Sequence, residues 1–437
     1  MRQSLISAIF LATGLLLVSC AESIEQPAQP KLSYLEHREL LTKAATDQLA
    51  TGVTRSDVEN YLSYRMHIAT DDIQDISRFD IDQDAYVYIV NIKGGGWYLC
   101  SGDYSSVPII AYNESGSLSF DGKQSRHTQG WLHAIREQVV SNRTSNSATV
   151  QANRNKWIRS KRASLTRSGE EPDTTEVEII VESETLRDDY YPGLTETTWD
   201  PAYPFNQAMP KRYNTTFRCI AGCTVVALAQ LVYYTHNAFG FPNDIFASAH
   251  CDNYYDEGPP YSFNLSGQTT STWDDMPLCF SYSNYDPTGW SYISALYALT
   301  ADRLGTVYDP TGGETLPANV PGAMANFSLT GVVNQSFYKP DVIDEVEADR
   351  PVLCAGASST GTSIGHSFLI DGYQWKIIHE TEYIYDMQGH LIEQNENIND
   401  MFQWHINSGD SPAYCFWTYP EYYYPYNRIM HIGWSQN

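Results

Sequence analysis

Hydrophobic and polar positions in the first third of the chain predict a small mixed unit. Leucines and alanines recur at helical spacing over residues 33–50, and a second helix is expected after Thr54 or Ser56, either of which suits an N-cap. Alternating apolar positions predict three strands, with a glycine-rich turn after the first, at residues 85–92, 97–102 and 107–112. Residues 33–140 are therefore expected to fold as a small α+β domain.

The following stretch loses this periodicity and changes the sign of its charge. A basic segment at residues 154–167 precedes an acidic one at 170–185. A polar stretch of this kind between two packed units is typical of a linker, and its exposed backbone suits proteolysis. We therefore interpret residues 151–190 as a linker and processing region, in which the basic segment is the natural place for cleavage.

The remaining residues, 191–437, are rich in Trp, Tyr, Gly and Pro. Their one strongly predicted helix begins near Cys223, where apolar residues extend most of the way round, as in a buried helix. The rest of this region is predicted to form strands and long loops, and Asp371-Gly372 is expected to form a turn. The sequence shows no internal repeat.

Length and charge limit the classes of function. A chain of 437 residues predicts two or three domains, and a hydrophobic content of 42% is sufficient for packed cores. The formal net charge is −25 at pH 7. Because nucleic-acid binding needs a basic face, this charge argues against nucleic acid as a partner.

The N-terminus has the pattern of an export signal. A basic start at Arg2 and an apolar stretch lead to Leu-Val-Ser-Cys at residues 17–20, a lipobox-type cleavage site. We expect residues 1–19 to be a lipoprotein signal peptide and Cys20 to be lipidated, so that the membrane is contacted through the N-terminal lipid only. The expected location is the outer membrane or cell surface, or the medium after processing. A plain secretory signal with an incidental cysteine is the alternative.

The other seven cysteines do not form a metal-binding pattern. Their spacings are wide and irregular and include no C-x-x-C pair, so we expect no metal site. Cys219 is interpreted as a packing residue or half of a disulfide. Cys223 falls at the first turn of the predicted helix, where the helix dipole and free N–H groups stabilise a thiolate. This position suits a nucleophile, and a buried core cysteine is the alternative interpretation.

A candidate base and an orienting amide follow in the order that a thiol nucleophile requires. His366 stands 143 residues after Cys223, and Asn407 stands 41 residues after His366. Papain-type enzymes place their histidine about 130–150 residues after the cysteine and an Asn beyond it. A single histidine on a strand is more often structural, but the ordered trio favours the catalytic interpretation. Asp371 lies only five residues along the strand from His366, a poor position for a triad acid.

Several segments resemble the streptopain-like cysteine peptidases. Their order matches the family, and they are found at residues 86–120, 198–206, 221–234, 271–278, 318–324, 350–373 and 404–407. The resemblance implies an α+β architecture, in which a small inhibitory propeptide domain, residues 20–150, precedes a papain-like peptidase domain, residues 191–437. It implies a zymogen that hydrolyses protein or peptide substrates without a cofactor and uses its own propeptide as an intramolecular inhibitor.

Carried over by position, the resemblance makes Cys223 the nucleophile, His366 the general base and acid, and Asn407 the residue that orients His366. Two positions depart from the family pattern. Pro201 stands where the family has a Gln that donates to the oxyanion hole, and Ser408 stands where a Trp follows the Asn. A shifted alignment would instead assign these roles to nearby residues, namely Gln207 for the first and Trp404 or Trp417 for the second.

These departures keep two other hypotheses open beside an active endopeptidase. In the first, the chain is a weak or inactive family member that acts as a surface module for binding proteins or peptides. In the second, the first domain inhibits a separate protease.

Overall fold

The computed structural model describes most of the chain after residue 51. The described residues are 52–122, 124–167, 177–212, 215–240, 248–253, 261–264, 271–280, 286–309, 312–360, 365–386, 389–410 and 412–436. Cys20 and the helix predicted at residues 33–50 lie outside them. No helix in the described ranges is long and apolar enough to cross a bilayer.

The N-terminal unit, residues 52–167, is a four-stranded antiparallel sheet between helices. Its elements are α1 (Arg55–Arg65), β1 (Ile73–Asp80), β2 (Tyr86–Ile92), β3 (Trp97–Ser101), β4 (Ile109–Asn113), α2 (Arg126–Thr144) and α3 (Ala148–Arg167). Thr54 caps α1 in a capping box with Asp57, as its side chain predicts. Alternation along β2 directs Val87 and Ile89 toward α2, and Tyr88 and Val90 toward α1 and α3.

The region interpreted as a linker is largely regular structure. Residues up to Arg167 form α3, and Val177–Tyr191 form strand β5. The basic segment forms a packed helix because Trp157 is buried against Tyr61, with ring centroids 5.2 Å apart, and Lys161 bonds Asp57 at 3.2 Å. The basic segment therefore belongs to the N-terminal unit, and this part of the linker is not an exposed chain.

The C-terminal unit is built on two buried helices and a long antiparallel sheet. Its helices are α4 (Cys223–Phe239), α5 (Ser271–Asp274), α6 (Pro287–Leu304), α7 (Val320–Ala325) and α8 (Lys339–Glu347). Its strands after β5 are β6 (Ser248–Asn253), β7 (Tyr261–Asn264), β8 (Val307–Asp309), β9 (Gly312–Glu314), β10 (Leu329–Thr330), β11 (Val333–Ser336), β12 (Val352–Ala357), β13 (Gly365–Asp386), β14 (Leu391–Asn407), β15 (Cys415–Thr418), β16 (Tyr426–Ile432) and β17 (Ser435–Gln436).

Helix α6 corrects the expectation that α4 is the one strong helix of this region. Apolar side chains surround α6 on nearly all sides, so its sequence lacks the polar face that signals a helix. Its ends nevertheless carry standard signals: Asp286 caps the N-terminus, Pro287 is the first residue, and Gly305 ends the helix with φ +59°.

One sheet of 11 strands runs through both units. Its order is β1-β2-β3-β4-β15-β14-β13-β12-β16-β11, and β5 pairs with the distal part of β13. The two units join where β4 pairs with β15, at Tyr112 with Trp417 and Ala111 with Thr418. A buried cluster extends across this junction and packs Trp131 of α2 on Phe416, with ring centroids 4.6 Å apart. The N-terminal unit is thus part of the same packed body as the sheet that carries His366.

Candidate active site

Cys223 is the first residue of α4, where the predicted buried helix begins. Gly222 leads into the helix with φ +93°, a conformation that favours glycine, and a Cβ there would lie 2.8 Å from the carbonyl oxygen of Gly313. The thiol of Cys223 is free and partly exposed.

His366 lies near the start of β13 and lines the same cavity as Cys223, whose volume is about 730 Å³. The residues that follow them are directly joined, because the hydroxyls of Thr224 and Ser367 lie 2.8 Å apart. This bond ties the start of α4 to the start of β13. The fold therefore brings the predicted nucleophile and the predicted base to one site.

The imidazole of His366 is buried without a polar partner. Neither ring nitrogen makes a hydrogen bond to any described residue, although the Ser408 backbone lies near enough to favour the protonated form slightly. Burial holds the pKa of His366 well below its usual value, and the neighbouring His127 lowers that pKa further. In this form the predicted base favours the neutral state and has no hydrogen-bonded partner among the described residues.

The N-terminal end of α2 covers this histidine. His127 stacks on His366 with ring centroids 5.0 Å apart and an interplanar angle of 16°. The Nε2 of His127 contacts a carboxylate oxygen of Asp410. The backbone carbonyl oxygen of His127 accepts a hydrogen bond from the Tyr424 hydroxyl at 2.6 Å. Arg126 and His127 both line the cavity that holds Cys223. The N-terminal unit therefore forms part of the wall of the site with its own side chains.

Asn407 ends β14 and is completely buried, but its bonds go elsewhere than His366. Its amide nitrogen donates to the Thr197 carbonyl at 2.7 Å and to the Thr195 hydroxyl at 2.9 Å. Its oxygen accepts bonds from Gln230 at 3.2 Å and from the Gly409 N–H at 3.1 Å. The structure thus places Asn407 in a network with α4, and its orienting role toward His366 stays a prediction.

Pro201 and Ser408, the two positions that depart from the family pattern, lie at the cavity and beside Asn407, respectively. Pro201 lines the cavity, whereas Gln207 is exposed and bonds its amide to the Pro204 carbonyl at 3.1 Å. Ser408 is buried next to Asn407. The rings of Trp404 and Trp417 pack on Phe402 and His405, with centroids 4.6 and 5.0 Å apart. The shifted alternatives therefore bring neither a glutamine nor a tryptophan to this site.

Two tyrosines enclose His366 instead, and the sequence alone did not single them out. The His366 ring centroid lies 5.1 Å from that of Tyr424 and 6.2 Å from that of Tyr423. Burial raises the pKa of both phenols well above the usual value, so both remain neutral. The adjacent tyrosines stand among many in the C-terminal region, so no pattern distinguished them.

The expected turn at Asp371-Gly372 is a strand. Asp371 lies within β13, fully buried, where a β-bulge between Ile370 and Gly372 shifts the register with β14. Its carboxylate binds the Nδ1 of His405 at 2.6 Å and the backbone N–H of Thr195 at 2.9 Å. This buried pair joins the start of the C-terminal unit to the sheet, and Asp371 has no contact with His366.

Metal-ligating side chains are scattered through the described part of the chain. Its His, Cys, Asp and Glu residues form no group of three or more that would hold an ion. The thiols of Cys100, Cys223, Cys279, Cys354 and Cys415 are free.

Comparisons with known proteins agree with this arrangement. The model of the peptidase C10 family matches residues 199–407, and that of the Spi protease inhibitor family matches residues 32–139. Streptopain of Streptococcus pyogenes is 25% identical over 306 residues, which cover 65% of this chain and 68% of that protein.

A solved structure of prointerpain A from Prevotella intermedia is similar in fold. A mutant fragment of prointerpain A, 17% identical, covers 83% of this chain and 99% of its own length with a TM-score of 0.53. The structure of active interpain A is 20% identical in sequence and covers 55% of this chain and 94% of its own length, with a TM-score of 0.39. The expected α+β fold, a small propeptide domain before a papain-like domain, is confirmed. The chain therefore carries a peptidase C10 domain of the streptopain-like type behind a Spi-type propeptide inhibitor domain.

Proposed function

We propose that this protein is a lipid-anchored cysteine endopeptidase that is made as a zymogen. The observation that carries the proposal is the shared cavity, which contains Cys223, at a helix N-terminus, together with His366 and is lined in part by the N-terminal unit. This is the arrangement that a thiol nucleophile and its base require.

In the proposed reaction, the thiolate of Cys223 attacks the carbonyl carbon of the scissile peptide bond. His366 gives a proton to the departing amine, which leaves a thioester on Cys223. Water then attacks the thioester, with His366 accepting its proton, and the carboxylic acid product leaves as the thiol is regenerated. No metal or cofactor takes part.

Activation must change the surroundings of His366. The His366 ring is stacked on His127 and neither of its nitrogens is hydrogen-bonded to Cys223, so the two side chains are not arranged for proton transfer. We therefore propose that the N-terminal unit acts as an intramolecular inhibitor and that proteolysis which removes it frees His366.

Pro201 favours a second candidate function. Proline has no N–H and no side-chain donor, so the oxyanion hole depends on the Cys223 backbone N–H and other donors. Loss of one oxyanion donor typically lowers kcat by about 10²–10³-fold. The second candidate is accordingly a weak or inactive member that binds proteins or peptides at the cell surface.

Self-processing separates the two candidates. Residues 21–437 of the wild type, of Cys223→Ala and of Cys279→Ala are incubated with mild reductant and analysed by intact mass spectrometry. Cys279 is an exposed free thiol and serves as the matched control. We expect trimming of the wild type and the control but not of Cys223→Ala. Equal behaviour of all three proteins would refute the peptidase and favour the binding module.

Lipidation and location are tested separately, in the full chain produced in a bacterium that processes lipoproteins. We expect the wild type to incorporate labelled fatty acid and to fractionate with the outer membrane or cell surface, and Cys20→Ser to do neither. Equal labelling of both proteins would contradict the lipid anchor.

A further inference from the structure

The structure leaves His366 without the residue that would orient it. Asn407, the expected candidate, has no bonding capacity to spare. Its oxygen already accepts two hydrogen bonds, from Gln230 and Gly409, and its amide nitrogen donates to Thr195 and Thr197. For Asn407 to accept a bond from an imidazole, one of these fully buried bonds would have to break.

A different side chain at the same strand end already binds an imidazole. Asp410 lies three residues beyond Asn407, and its carboxylate contacts the Nε2 of His127. Both side chains are largely buried, 16% and 12% exposed for His127 and Asp410. The bound ring lies parallel to that of His366, with centroids 5.0 Å apart. The carboxylate therefore serves a histidine that occupies the space directly beside the predicted base.

The groups around Asp410 make an ion pair with an imidazole favourable. Asp200 is the second carboxyl of this region, and burial and then Asp410 raise its pKa to about 6. The phenols of Tyr414, Tyr423 and Tyr424 face the same carboxylate, and their pKa values are raised by burial, so they carry no charge. The N-terminal unit supplies the imidazole of His127 to this acidic corner, together with Arg126, which pairs with Glu314 at 3.8 Å.

We propose that Asp410 positions His366 in the active enzyme, and that His127 occupies this carboxylate in the zymogen. Departure of His127 leaves a buried carboxylate without its partner next to an imidazole with two free nitrogens. His366 takes over the place of His127, donates an N–H to Asp410 and presents its other nitrogen to Cys223. The inhibitor thus acts twice, because it covers the base and binds the group that positions it. This inference rests on the proposed function.

The replacement of an amide by a carboxylate has a chemical consequence. A carboxylate beside an imidazole raises the pKa of that imidazole, because it stabilises the charged form. The imidazolium that pairs with the Cys223 thiolate then persists to higher pH than it would beside an amide. The basic limb of the pH profile of kcat/KM reports this pKa.

The test compares Asp410→Asn, Asp410→Glu and Asp200→Asn in the full chain without its signal peptide, each matured in trans by a trace of wild type. Asp200→Asn is the control for removing a carboxylate from the same corner. We expect Asp410→Asn to lower kcat at least 10-fold with little change in KM and to move the basic limb about one pH unit lower. Asp410→Glu should recover part of the wild-type kcat and part of the wild-type position of the basic limb. Wild-type kcat and basic limb in Asp410→Asn would overturn the proposal, as would the same shift in Asp200→Asn.

A second measurement separates this inference from the proposed function. Nuclear magnetic resonance of 13C-labelled histidine follows the titration of His366 in Cys223→Ala, matured in trans, with and without Asp410→Asn. We expect the pKa of His366 to rise on maturation and to fall again by about one unit in Asp410→Asn. No dependence on Asp410 overturns the proposal, whether or not the wild type hydrolyses peptides. A clear dependence without hydrolysis supports the pairing and refutes the peptidase.

Discussion

At the scale of single residues, the molecule places its histidines in two kinds of environment. The rings of His127 and His405 contact the carboxylates of Asp410 and Asp371. His366 and His431 are buried with no hydrogen bond from their ring nitrogens to any described residue, and burial lowers the pKa of both. The unpaired histidines favour the neutral form, and they make the folded state sensitive to acid.

His431 provides a direct test of this sensitivity. Its pKa is lowered to about 4 in the fold, against about 6.5 in an unfolded chain. The unfolded chain therefore binds the proton first, and stability decreases as pH falls from about 6.5 toward 4. Over this pH range, we expect the free energy of unfolding of Cys223→Ala to fall by up to about 3 kcal/mol more than that of the double variant Cys223→Ala, His431→Asn. Urea unfolding at several pH values measures the difference, and parallel curves would contradict it. Asp200, whose raised pKa acts in the opposite sense, is common to both proteins.

Removal of the His127 imidazole should weaken the zymogen. His127→Ala loses the bond to Asp410 and the stacking on His366, which together are worth about 1–2 kcal/mol. The rate of self-maturation is then expected to rise about 5–30-fold. His133→Ala, on the same helix but away from the cavity, is the control. An unchanged rate in His127→Ala, measured by appearance of the trimmed mass, would show that His127 does not restrain the enzyme.

At the scale of elements, local signals predicted several elements, including the helix that carries the nucleophile. The capping box of α1, the strands β2 to β4 and the buried helix α4 are present as expected. The sequence did not predict α3 and β5, because their polar residues pack on distant partners. Trp157 of α3 is buried against α1, and β5 is a strand through its pairing with β13, which comes about 190 residues later.

Gly222 determines whether α4 presents Cys223 correctly. Gly222→Ala requires a positive φ and a 2.8 Å approach to the Gly313 carbonyl, so we expect loss of about 1–3 kcal/mol and displacement of Cys223. Gly240 ends the same helix with φ +74°, and a Cβ added there would meet no atom within 4 Å, so Gly240→Ala reproduces the strain without the clash. Thermal unfolding and peptide hydrolysis compare the two variants. Similar activity in both would contradict the proposed role of Gly222.

At the scale of the whole molecule, the inhibitor and the enzyme share one sheet and one buried cluster. The pairing of β4 with β15 and the contact of Trp131 with Phe416 join residues about 300 positions apart. The contact between His127 and Asp410 joins residues 283 apart. No local pattern predicts such contacts, which explains why the sequence indicated Cys223 and His366 but gave no reason to consider Asp410.

The shared cluster should keep a cleaved zymogen together. A specific protease site is placed between Arg167 and Val177 in Cys223→Ala, and the cleaved protein is analysed by size exclusion at micromolar concentration. Separation would expose the large apolar surface around Trp131 and Phe416, so we expect both fragments to elute together. Elution as two species would show that cleavage at this position releases the inhibitor.

The central claim is that Cys223 is a nucleophile and that the N-terminal unit holds it in an inactive site. The most direct measurement is the rate at which a thiol-directed epoxide labels Cys223, before and after maturation, with the site identified by peptide mass spectrometry. We predict rapid labelling of Cys223 after maturation, labelling at least 10-fold slower before it, and equal labelling of the exposed Cys279 in both forms. Failure of matured protein to react at Cys223, or equal rates in both forms, would contradict the account.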